Sequence, residues 1–168
     1  IIDEIDFSSL KKNPKWIVGY SDVTVLHSHL YNLGLASLHA TMPINFEGNT
    51  QESLDSLKNS LFGIKRSIKC KAHLLNIFGK IEAEIVGGNL SILYSLLGSD
   101  SDIDTDGKIL FIEDLDEYLY HIDRMMMNLK RNGKFEKIRG LIVGGMSDMK
   151  DNPITFGKTA EEIILDYT

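Results

Sequence analysis

An α/β fold is the architecture this sequence predicts, and three observations carry the prediction. The first 45 residues alternate strand, helix and strand signals. The run "ILFIED" (109–114) has the apolar density of a buried strand and leads into a long amphipathic segment. A further strand signal, "IRGLIVGGM" (138–146), follows that segment, so the alternation continues toward the end of the chain.

Taken in order, residues 1–14 form a polar lead-in where Asp6 or Ser8 can cap a short turn and Pro14 keeps its neighbour extended. Residues 16–18 are a β-type run, and Gly19 marks a bend. From Ser21 onward Val23, Leu26, Leu30 and Leu33 recur at helical spacing, with Gly34 as the stop. "LASLHATMP" (35–43) predicts a second short strand. Residues 46–63 read as a polar loop and a helix with Leu54, Leu57 and Leu61 on one face, ended by Gly63. Two β-like runs, 64–78 and 80–86, follow without a long helix between them. That change predicts a domain boundary near residue 65, dividing the chain into 1–65 and 66–168. "VGGNLSILYSLLGS" (86–99) gives a glycine pair and a short helix carrying Leu90, Leu93 and Leu97, stopped by Gly98. After "ILFIED", the residues Leu115, Leu119, Ile122, Met126 and Leu129 mark an amphipathic helix closed by Gly133, with Met125, Met126 and Met127 as its core and rim. A last helix starts at Thr159.

Composition bounds the function. The 168 residues are 43% hydrophobic and 25% charged, as in ordinary globular proteins. No apolar run approaches the ~20 residues of a membrane span and no signal peptide opens the chain, so a cytoplasmic location is expected. A net charge of -6 without any basic block argues against nucleic-acid or membrane-surface partners. Cys70 is the only cysteine, which excludes an intramolecular disulfide and a thiolate zinc cluster. "VGGN" (86–89) and "VGGM" (143–146) are neither dinucleotide fingerprints nor P-loops, and they read as close backbone packing. No cofactor and no metal are expected. The chain begins with Ile1 and meets a strand signal almost at once, as a piece of a larger protein would.

Two places can carry chemistry. A strand turning through Gly-Tyr-Ser into a helix pushes the Ser21 hydroxyl outward and aims free helical N–H groups at the space above it, which suits an acyl-transfer nucleophile. The hydrolase elbow would have glycine where Val23 stands, and spacing alone favours Ser21 or Asp22 as a helix cap. Glu113 and Asp114 end a buried strand, where carboxylates orient catalytic groups; alternatively they open the next helix. A serine nucleophile needs a base. Among His27, His29, His39, His73 and His121, none sits in the small-residue turn of a catalytic base, and all five read as packing or surface histidines.

The blocks "NPKWIVGYSDVTVLH", "IVGGNLSILYSLLGS", "GKILFIEDLDEYLYHIDRMMMNLKRNGKF" and "IRGLIVGGM" stand in the order and approximate spacing of the LD-carboxypeptidase family of serine peptidases, which includes the microcin C immunity peptidases. The resemblance runs from about Asn13 to about Asp166. It implies the end of an N-terminal α/β (Rossmann-like) domain and most of a swivelling β/α C-terminal domain. It also implies that Ser21 is the nucleophile, that the Asp22 N–H is an oxyanion donor and that Glu113 is the triad acid. The implied substrate is a small murein peptide, a tetrapeptide losing its C-terminal D-alanine, and the implied assembly is a homodimer. The immunity branch instead cleaves aminoacyl-nucleotide analogues, and a catalytically inactive binding module is a third possibility. The family's glycine block upstream of the serine and its Gly-His block downstream are not in these 168 residues. The triad histidine is therefore expected outside this chain, and the chain alone is expected to be inactive.

Overall fold

The computed structural model describes residues 1–64 and 67–168. A short helix, α1 (Ser8–Lys12), opens where the Asp6 carboxylate accepts the Ser8 N–H at 2.9 Å. Strands β1 (Val18–Gly19) and β2 (Leu38–His39) pair in parallel, with Gly19 opposite His39. Helix α2 (Thr24–Asn32) connects them, entered through a 3₁₀ turn over Ser21–Val23. It stops at Gly34, whose φ of +79° lets the Gly34 N–H reach Tyr31 O and the Leu35 N–H reach Leu30 O. Helix α3 (Gln51–Leu61) is capped by Thr50, whose hydroxyl accepts the Ser53 N–H at 3.2 Å.

The next stretch departs from expectation. The run 64–78 contains no strand among its described residues, and β3 (Ile85–Asn89) takes up only the end of the run 80–86. Ile68, Leu74, Ile77 and Phe78 are exposed, so their apolar character finds no partner sheet. The boundary expected near residue 65 falls on residues 65 and 66, outside the described residues.

The second sheet is parallel throughout, in the order β3, β4 (Ile109–Leu115), β5 (Gly140–Ser147). Helices α4 (Leu90–Leu96) and α5 (Leu119–Arg131) make the crossovers, and α6 (Ala160–Tyr167) packs on α5. The core of this layer joins Leu110 and Ile112 of the central strand to Leu90 and Leu93 of α4, Ile122, Met125, Met126 and Leu129 of α5, and Ile163 and Ile164 of α6. Met127 lies 44% exposed at the rim, as the spacing predicts. Leu115 ends β4 and is 58% exposed instead of starting the helix, which begins four residues later. Glu113 and Asp114 consequently belong to the strand and not to a helix's first turn.

Candidate functional site

Gly19 creates the bend before Ser21. A Cβ there would stand 2.6 Å from Val23 Cγ2, so only glycine lets strand and helix start approach this closely. Tyr20 is extended, and its hydroxyl donates to Asn45 Oδ1 at 2.7 Å. Ser21 itself has φ +57°, the left-handed region that costs a non-glycine residue energy. The serine is exposed. Neither Ser21 nor Asp22 caps a helix: the 3₁₀ turn has Tyr20 and α2 has Val23 at the capping position, both without a side-chain cap bond. The N–H groups of Ser21 and Asp22 lie in the first turn, where no earlier turn supplies an acceptor.

The two carboxylates at the end of β4 have opposite surroundings because strand side chains alternate. Asp114 points into the helical layer and is a hydrogen-bond hub. Its Oδ1 accepts from Asn89 Nδ2 (3.0 Å) and the Leu115 N–H (2.9 Å), and its Oδ2 from the Ser91 N–H (2.9 Å). Burial nevertheless raises its pKa above the usual aspartate value, with those donors opposing the shift. Glu113 points to the other face, toward β2. Its Oε1 is shielded from solvent and accepts no hydrogen bond among the described residues. Burial first, and the Asp114 charge second, raise its pKa above the ordinary glutamate value. On the β5 side, Ile112 pairs with Val143 but Asp114 with Met146, so β5 carries one extra residue opposite Glu113. A Cβ on Gly144 would stand 3.0 Å from Glu113 Cβ, so this glycine of "VGGM" serves close packing, whereas a Cβ on Gly145 would meet only Ser147 Oγ at 3.3 Å.

The serine turn and Glu113 meet through two short routes. Thr24, wholly buried at the start of α2, accepts the Asn89 N–H on its hydroxyl at 3.0 Å, and Asn89 lies opposite Glu113 in the β3–β4 register. Gly88, at φ +150°, leaves room for Thr24: a Cβ would stand 2.5 Å from Thr24 Oγ1. On the other route, Gly19 pairs with His39, whose Nε2 is 3.9 Å from Glu113 Oε1. Their side chains are 27% and 20% exposed. Sequence reasoning took His39, like the other four histidines, for a packing or surface residue. The signal that could have found it was its place at the end of the strand expected beside the serine strand.

The remaining histidines have structural partners. A carbonyl only accepts, so His27 carries its hydrogen on Nε2 and donates it to Gly19 O at 3.0 Å, while Nδ1 accepts from Ser37 Oγ at 2.8 Å. Burial lowers its pKa. His29 pairs with Ser101 Oγ, His121 with Glu117, and His73 Nδ1 accepts the Leu75 N–H. His39 also borders two hollows. One, of about 280 Å³, is lined by Tyr20, Thr41, Asn45 and Asn49; the other, of about 400 Å³, by His27, Tyr31, Glu84 and Phe111. Among the described residues no group of three or more His, Cys, Asp or Glu side chains could hold a metal ion, and no helix is long and apolar enough to cross a membrane.

Comparison with known proteins agrees with this layout. Residues 82–168 match the LD-carboxypeptidase C-terminal domain and residues 1–40 the LD-carboxypeptidase N-terminal domain. A probable murein peptide carboxypeptidase of Bacillus subtilis is 38% identical over 171 residues, covering 97% of this chain and 53% of that protein. The microcin C7 self-immunity protein MccF of Escherichia coli is 28% identical over 174 residues, covering 83% of this chain and 50% of that protein. The crystal structure of muramoyltetrapeptide carboxypeptidase from Oxalobacter formigenes superposes with a TM-score of 0.88 at 27% identity, over 98% of this chain and 57% of that one. The chain spans about half the length of the curated relatives it matches. With a family match over more than half of its residues and parallel sheets that superpose on those of a solved relative, the chain belongs to the LD-carboxypeptidase family of peptidases.

Proposed function

We propose that this chain carries the nucleophile and acid of a serine carboxypeptidase that hydrolyses the L,D-peptide bond to the C-terminal D-alanine of murein tetrapeptides. The observation that carries the reading is Ser21, an exposed serine held at φ +57° on a strand-to-helix turn linked to the half-buried Glu113. Ser21 Oγ attacks the scissile carbonyl carbon while its proton passes to a base. The oxyanion faces the Asp22 N–H. The tetrahedral species collapses, D-alanine leaves with the proton returned by the base, and water then releases the acyl group. Glu113 orients the imidazole of that base. His27, His29, His73 and His121 are engaged elsewhere, and burial pushes the His39 pKa down to about 4, too weak a base for the task at neutral pH, so the base in this reading is a histidine this chain does not carry. The division into 1–65 and 66–168, a cytoplasmic role in cell-wall peptide recycling and a homodimeric assembly belong to the same proposal.

In the full-length protein a serine-directed phosphonate is expected to label Ser21, and Ser21→Ala to abolish the label. Presented with L-Lys–D-Ala or diaminopimelate–D-Ala tetrapeptides, the 168-residue chain alone is expected to show no turnover. Full activity of the 168 residues would refute the missing base, and absence of any label on the full-length protein would favour a binding module. The second reading, an immunity-type peptidase acting on aminoacyl-nucleotide analogues, draws on the 28% identity to MccF. Release of the amino acid from such an analogue, without D-alanine release from tetrapeptides, would select it.

A further inference from the structure

We propose that His39 is a positioning residue for Glu113: as a neutral imidazole with its hydrogen on Nε2, it fixes the Oε1 end of the carboxylate and leaves Oε2 free for the catalytic base. The importance of Glu113 itself rests on the function proposed above; the His39–Glu113 pairing does not.

Glu113 holds one buried atom without a partner. Glu113 Oε1 is shielded from water and accepts no hydrogen bond among the described residues, a state that costs energy unless something faces it. Each packed element offers one candidate. Asn89 of β3 gives one Nδ2 hydrogen to Asp114 Oδ1, and its amide also lowers the Glu113 pKa against the effect of burial, but it makes no hydrogen bond to Oε1. Asp114, next in β4, is itself an acceptor saturated with donors. β5 presents Gly144, which has no side chain. His39 of β2 is the side chain that faces Oε1 itself, with Nε2 3.9 Å away. Contacts of this kind are often long in unliganded sites and tighten when substrate arrives.

The imidazole is held for the task. It meets the Phe111 ring edge-on at 5.0 Å between centroids, and its backbone is fixed opposite Gly19 in the β1–β2 register. His27, 5.9 Å away ring to ring, is locked with its hydrogen on the nitrogen facing Gly19 O. Burial, then repulsion from His27, push the His39 pKa down to about 4, so the ring is neutral at physiological pH. A neutral ring can hold a carboxylate in place without forming a full ion pair that would compete with the base.

Two measurements on the protein decide the matter. Long-range ¹H–¹⁵N spectra at pH 7 are expected to show His39 neutral with its hydrogen on Nε2; a hydrogen on Nδ1 alone, or a charged ring, overturns the proposal. The Glu113 carboxyl midpoint, read from ¹³C shifts, is expected to rise by about half to one pH unit in His39→Phe, because the ionised form loses its donor. His39→Gln, which keeps an N–H at similar reach, is expected to bring it back toward the starting value. An unchanged midpoint in both variants overturns the pairing. Should phosphonate labelling of Ser21 fail while the midpoint moves, the enzymatic reading falls and the pairing stands.

Discussion

Glu113 and Asp114 are chemically near-identical neighbours that the pleat sends to different fates. Asp114 is ringed by three donors, whereas Glu113 keeps a shielded oxygen without one. A raised carboxyl pKa in the folded state means the native protein holds its proton more tightly than the unfolded chain. For Glu113 the sign is therefore fixed: its side chain favours the fold below the ordinary glutamate pKa, and that advantage is lost as pH rises through the elevated folded value. Glu113→Gln removes the charge and keeps the shape. It is expected to stabilise the protein by about 1 kcal/mol at pH 7, in the manner of an active-site residue retained at the expense of stability. Urea midpoints measured from pH 4 to 8 should show the gain growing with pH and vanishing at the acid end; a uniform gain would mean the charge is not its cause. Ser21 repeats the theme in the backbone, a non-glycine residue at positive φ where nothing about helix capping requires it.

Among elements, those whose signals are local were legible in the sequence. Periodicity located α2, α3, α4 and α5, and glycines at positive φ close α2, α3 and α5 where expected. Helices announce themselves through contacts three and four residues apart. Strands depend on partners distant in sequence, and this is where the reading failed: "IKRSIKCKAHLLNIF" (64–78) has β-like composition, but no neighbouring strand receives its described residues. His39 escaped notice for the same reason, since its meaning comes from Glu113, 74 positions later in the sequence and 3.9 Å away. Ser21 and Glu113 were candidates from the sequence because turn and strand-end positions are local features, but position alone favoured a helix cap and a helix start; their catalytic roles, and the oxyanion role of Asp22, came only with the family resemblance. The joint between elements is equally non-local. Thr24→Val removes the acceptor of the buried Asn89 N–H while preserving side-chain shape, and is expected to cost about 1–3 kcal/mol. Thr24→Ser, which keeps the hydroxyl, should lose less in the same denaturation experiment.

For the molecule as a whole, the contrast lies between a close-packed layer around β4 and a long exposed connection before β3. Lys69, Lys71 and Lys80 stand in that connection, outside helices and strands. Brief trypsin treatment is expected to cut there before anywhere in residues 85–168, yielding two fragments near the proposed division. Early cleavage within α5 or β5 would contradict this picture of the chain. The extra residue in β5 opposite Glu113 has a further consequence. Removing one of the two glycines, Gly144 or Gly145, would let β5 pair with β4 without interruption and would tie down the strand end that now carries an unshared carboxylate. A laboratory selection that rewarded heat resistance alone would favour that deletion.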